Sequence, residues 1–176
     1  MKSLVDQLGQ YAVYHRDSRN IASHLIGIPL IVVAVATLLA RPSVGVTAAL
    51  ALSPAMLLAA AVAVFYLRLD LRFGILMMVL LALCVWPGKL LAMQTTALWL
   101  AWGLGLFFVG WVIQFIGHYF EGSKPAFVDD VIGLAVGPLF IVAEVAFFLG
   151  LRDPVRRAIE ERAGAIRGAA GKSAVR

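Results

Sequence analysis

Five apolar blocks follow one another along the chain, at residues 25–40, 44–67, 73–86, 90–117 and 131–151. Apart from Glu144, every charged residue lies between them or at the ends. A helix that crosses a bilayer needs about 20 predominantly apolar residues. The second and fourth blocks are ample. The first reaches that length if it begins near Ile21, and the third if it runs on through Leu91. The fifth is long enough but contains Gly133, Gly137-Pro138 and the acid. The chain is 62% hydrophobic and 14% charged, where a soluble domain carries about 25% charge. The excess faces lipid, and long charge-free blocks are the helical way of satisfying a backbone there. The expected fold is all-α: an integral membrane helical bundle of four transmembrane helices plus a fifth re-entrant or spanning segment. Residues 1–151 are expected to form a single transmembrane helical domain, and 152–176 a basic cytoplasmic tail.

The basic residues bear on orientation, because Lys and Arg gather on the cytoplasmic side of short loops. If all five blocks cross, they divide six against nine. If the fifth dips in and returns, bending at Gly137-Pro138, they divide thirteen against two. The second arrangement puts both termini in the cytoplasm, and the alanine-rich composition points to a bacterial inner membrane. The tail reads as a short helix after Asp153-Pro154 followed by a Gly/Ala-rich end, suited to solubility and to anionic lipid. A net charge of +5 needs no nucleic acid to explain it, and no recognition motif is present. Residues 1–23 lack the apolar core of a secretory signal. The single cysteine, Cys84, excludes an intramolecular disulfide and a multi-cysteine metal site.

Polar residues concentrate in two stretches. His15 and His24 precede the first crossing and His118 follows the fourth, so an even number of helices brings all three histidines to one membrane face. Nine residues separate His15 from His24, which puts them on opposite sides of a straight helix. They converge only if the chain breaks between them, and Asp17 or Ser18 supplies an N-cap for a new helix there. Asn20 and His24 then form an i, i+4 pair. Gln114, His118 and Glu121 form one stripe at the end of an otherwise apolar helix, with Gly122 as its stop.

Ionisable groups at membrane depth are expensive and point to function. Neutral imidazole is a ligand for zinc, copper and iron, and two histidines with a carboxylate suit non-haem Fe(II). Asn20, Gln114 and Glu144 are available to orient the rings. Ordinary interfacial residues, a metal site and a proton relay all remain open on spacing alone.

The stretch from Tyr11 to Ile31, Y-x-x-Y-H-x-x-x-x-N-x-x-x-H-x-I-G-I-P-L-I, together with W-V-I-Q-F-I-G-H-Y-F-E-G-S-K-P-A from Trp111 to Ala126, resembles the membrane family of Fe(II)-dependent 2-hydroxy fatty acid dioxygenases. G-P-L-F-I-V-A-E-V, from Gly137 to Val145, matches more loosely. The resemblance implies α-oxidation of a 2-hydroxy fatty acid by dioxygen with loss of one carbon. It implies Fe(2+) held by His15, His24 and His118, and Glu121 at the acidic position. Asn20 and Gln114 match polar positions around the cofactor. Arg16, Arg19 or Lys124 would meet the substrate carboxylate, although Lys124 stands one place later than the pattern expects. The rival readings are a non-enzymatic lipid-binding membrane scaffold and a small proton-coupled transporter working through Glu144 and the histidines.

Overall fold

The computed structural model describes residues 2–45, 51–126 and 129–168. The Gly/Ala-rich end expected beyond α7 lies largely outside these. Among the described residues there are seven α-helices and one two-stranded hairpin: α1 (Leu4–Ala12), α2 (Ser18–Ala40), β1 (Val44–Gly45), β2 (Ala51–Leu52), α3 (Pro54–Leu69), α4 (Leu71–Ala92), α5 (Thr96–Glu121), α6 (Gly133–Phe148) and α7 (Asp153–Ala163). The chain separates into two compact units, 1–26 with 112–176, and 27–111. The division falls within α2 and α5.

In the second unit, glycines let helix backbones approach as closely as they do. A Cβ on Gly88 would lie 2.9 Å from the Ala36 carbonyl carbon, and one on Gly110 would lie 2.9 Å from the Gly27 oxygen. Small residues at such crossings replace the hydrophobic drive that lipid removes. Asp70 separates α3 from α4 and caps the latter, its carboxylate accepting from Phe73 N at 3.0 Å. Trp99 donates its indole N–H to Thr37 O at 2.8 Å, and Arg41 lies over its ring.

Three helices, α2, α4 and α5, are long and apolar enough to cross a membrane, or four if the bent pair α6–α7 counts as one span. The second apolar block differs from its expected single span. Its first part holds the β1–β2 hairpin, and Ser53 with Pro54 starts a helix of only 16 residues. At about 1.5 Å per residue that helix is shorter than the roughly 30 Å hydrocarbon core. The third block does run on through Leu91, to Ala92.

The fifth block also bends elsewhere than expected. Pro138 lies inside α6, near its start, where one missing donor interrupts little of the ladder. The 116° turn comes at the other end, between α6 and α7. Gly150 adopts φ 73° and Arg152 φ 60°. Leu151 N reaches Ala146 O at 2.8 Å, and Gly150 N reaches Phe147 O at 3.0 Å. That is the paired closure of a Schellman stop, which favours glycine at the left-handed position.

The first unit gathers α1, the start of α2, the end of α5, α6 and α7. Helix α1 opens with a capping box between Ser3 and Asp6. It buries Leu4, Leu8, Tyr11 and Ala12 and packs against α6 and α7. The basic segment after residue 152 is therefore packed structure as far as α7, with Ile159 buried.

Candidate metal centre

Helix α1 ends in a tightened turn, with Tyr14 N bonded to Tyr11 O and His15 N to Ala12 O. The chain then runs through Arg16 and Asp17 before Ile21 N, bonded to Asp17 O, opens the ladder of α2. This is the break that the His15–His24 spacing demands. Asp17 also accepts from Arg19 N at 2.9 Å, as a capping carboxylate does. His15 thus sits in a five-residue corner, His24 a turn and a half into α2, and His118 one turn before the end of α5.

All three are buried. One nitrogen from each ring lies within 4.8 Å of those from the other two, and the ring centroids are 4.4 to 5.0 Å apart. His15 stacks on Tyr11 at 4.2 Å and 3°, with Phe140 tilted against both. Burial, with the neighbouring His24, holds His15 well below the usual histidine range, and burial pushes the Tyr11 phenol upward.

The hydrogen bonds fix the tautomers. His15 Nδ1 lies 2.8 Å from Tyr11 O, and His24 Nδ1 lies 2.9 Å from Asn20 O. A carbonyl only accepts, so both Nδ1 atoms carry the proton and both Nε2 atoms are bare in the neutral rings. Those two Nε2 atoms face each other at 3.0 Å. Two lone pairs at that distance call for a cation between or beside them, and the burial of His15 disfavours a proton in that role. The third ring contributes a buried Nδ1 with no hydrogen-bond partner. Two carbonyl-oriented imidazoles with opposed bare nitrogens, and a third buried imidazole within 4.8 Å of them, make a donor set that fits a transition-metal ion.

The other expected site residues serve the corner. Glu121 accepts at Oε2 from Arg16 N (2.9 Å), Asp17 N (2.7 Å) and Asn20 Nδ2 (3.1 Å), so its carboxylate braces the chain beside His15. Asn20 also donates to Tyr14 O. Gln114 is buried one turn before His118. The basic residues expected near a substrate carboxylate are all engaged. Arg16 is buried and donates to Ala12 O, His15 O, Gly164 O and Glu144. Arg19 pairs with Asp17, and Lys124 with Asp129. Two participants carry roles that the sequence did not assign: Tyr11, though it opens the first motif, and Arg167. Tyr11 stacks on the first histidine, and Arg167 bonds Glu121 from the far end of the chain. The i, i+4 spacing of Tyr11 and His15 could have signalled the first.

The sequence model of the Mpo1-like family, described as 2-hydroxy-palmitic acid dioxygenase Mpo1-like, matches residues 1–149. The chain is 33% identical over 159 residues to the 2-hydroxy-palmitic acid dioxygenase MPO1 of Saccharomyces cerevisiae, covering 89% of this chain and 87% of that protein. No solved structure matches. With all three histidines and Glu121 inside the matched span, the chain belongs to the Mpo1-like family.

Proposed function

We propose that this protein is a membrane dioxygenase that uses Fe(2+) to shorten 2-hydroxy fatty acids by one carbon. The observation that carries the reading is the opposed pair of bare Nε2 atoms inside a buried three-histidine cluster, in a chain of this family. His15, His24 and His118 would hold the ion. Iron, when bound, supplies the redox and dioxygen chemistry that side chains lack. Tyr11 O and Asn20 O keep the Nδ1 protons in place and so keep the ligand nitrogens bare. Tyr11 and Phe140 wall the cluster with aromatic surface and exclude water. Glu121, through Arg16 N and Asp17 N, holds the corner that carries His15.

The overall conversion balances with dioxygen alone. A 2-hydroxy acid and O₂ give the acid one carbon shorter, carbon dioxide and water, as the C1–C2 bond breaks and the carbons lose four electrons. Placing the histidines and both termini on the cytoplasmic face of a bacterial inner membrane requires the short α3 to complete a crossing alongside α2, α4 and α5, and α6–α7 to dip in and return. The thirteen-to-two division of basic residues supports that placement.

The test is direct. Protein loaded with Fe(II) and given a 2-hydroxy C16 acid under oxygen yields a C15 acid by mass spectrometry, and His15→Ala, His24→Ala and His118→Ala each abolish it. Absence of a shortened acid across several chain lengths, with iron bound, would overturn the proposed reaction.

A further inference from the structure

The corner between α1 and α2 has little regular structure of its own, yet it carries His15. Its backbone donors can be accounted for one by one. Arg16 N and Asp17 N go to Glu121 Oε2. Ser18 N goes to Arg167 O at 2.9 Å, and Arg167 N returns to Arg16 O at 2.7 Å, forming a parallel bridge. Three consecutive amides beside the histidine are thus satisfied by only two residues, and those two are bonded to each other. The Arg167 guanidinium meets Glu121 Oε1. The Glu121 side chain is 2% exposed, so its charge needs a partner, and Arg167 provides one.

The segment that delivers Arg167 is itself anchored. Helix α7 packs on α1 with Ile159 in the core. Arg162 pairs with Asp6, and Arg16 Nη1 donates to Gly164 O at 3.0 Å. The arm itself, α7 and residues 164–167, lies beyond residue 149, where the family match ends, while its partners Asp6 and Arg16 lie within it.

We propose that α7 and residues 164–167 form a clamp that fixes the His15 corner, with Arg167 as its positioning residue acting through Glu121. The clamp sets the place of the His15 ring relative to His24 without touching the ion or substrate. Its importance for the metal rests on the reading of the histidine cluster as an iron site. Ligands need to be held to within about 0.5 Å, and partners one step removed from a metal alter affinity by about 10–100-fold.

Hydrogen–deuterium exchange on the full chain in detergent tests the clamp without any metal. In Arg167→Ala, the amides of Arg16, Asp17 and Ser18 exchange at least about tenfold faster, as local opening predicts, while those of α4 stay as in the parent protein. Arg167→Lys restores part of the protection. Arg162→Ala removes an ion pair of the same arm but leaves these three amides protected, which a general loosening of the arm would not. Arg167→Gln, which keeps a donor, carries the same comparison if Arg167→Ala does not fold. Unchanged exchange at the three amides in folded Arg167→Ala or Arg167→Gln overturns the proposal. Co(II) serves as the probe for the second arm. Its affinity falls about 10–100-fold in Arg167→Ala and stays at the parent value in Arg162→Ala. A parent protein that binds no Co(II) counts against the metal site, while the exchange data still decide the clamp.

Discussion

His15 and His24 present their Nε2 atoms to each other at 3.0 Å while each Nδ1 is committed to a main-chain carbonyl. Neither ring can turn its proton toward the other without giving up a buried hydrogen bond, at a cost of about 1–3 kcal/mol. The arrangement is therefore poised for a cation. A divalent transition metal should stabilise the folded protein through its preference for the native state, by about 2.7 kcal/mol when supplied at 100 times its dissociation constant. Thermal unfolding in detergent should rise on adding Fe(II) anaerobically or Co(II). The rise should vanish in His15→Ala, His24→Ala and His118→Ala. A parent protein whose unfolding ignores both metals would remove the metal centre.

The same burial sets a pH dependence. His15 has a folded value well below its ordinary one near 6.5 because burial penalises the charged ring. Between the two values the unfolded chain binds a proton that the folded chain refuses, so the His15 contribution lowers stability as pH falls below about 6.5. Above that pH the ring is neutral in both states and the contribution is flat. Unfolding of the metal-free protein followed from pH 8 to pH 5 should show this fall, reduced in His15→Gln. A parent profile that stays flat, or one unchanged by the substitution, would contradict it.

Arg16 and Glu144 form the most deeply buried ion pair among the described residues, at 3.2 Å with side chains 6% and 8% exposed. Removing one member leaves the other charged without compensation, which costs about 3–5 kcal/mol in such settings. Glu144→Gln should lower the unfolding midpoint much more than Asp153→Asn, whose partner Arg156 is exposed with it. Equal small effects would mean that the Arg16 guanidinium is held by its three carbonyl acceptors alone. Glu144 is thus engaged with a fixed cation, which leaves a proton relay through it without structural support.

The convergence of the histidines was legible because the chain spends so few polar residues in its apolar half. The nine-residue spacing from His15 to His24 also forces a break, and Asp17 marks it. The helical class followed from the charge-free blocks. The division of the second block was harder to read, because Val44–Gly45 and Ala51–Leu52 are as apolar as a span and differ only in pairing with each other. Pro138 drew the expected bend toward itself, but the local signal that ends the helix is Gly150. The partners of Glu121 were out of reach. Arg167 lies 46 residues away from it in the chain, within a basic tail whose composition fits solvent or lipid equally well. Nor does any spacing rule announce that Arg16 turns inward while Arg19, three residues on, stays exposed against Phe120.

Gly117 offers a prediction that tests the brace without touching a ligand. A Cβ there would lie 2.6 Å from Asn20 Oδ1 and would overlap Ser23 Oγ, so the start of α2 and the end of α5 meet at this glycine. Asn20 is fully buried and ties Tyr14 O to Glu121, leaving no open direction in which to retreat. Gly117→Ala should therefore cost about 1–3 kcal/mol of stability by overpacking. It should also loosen the metal, since Asn20 O orients His24 Nδ1. Gly105→Ala is the matched control on the same helix, because a Cβ there meets nothing within 4 Å, and alanine is the better helix former by about 1 kcal/mol. The two variants should move the unfolding midpoint in opposite directions, and only Gly117→Ala should weaken Co(II) binding. If both bind Co(II) like the parent, the Asn20 carbonyl does not govern the orientation of His24.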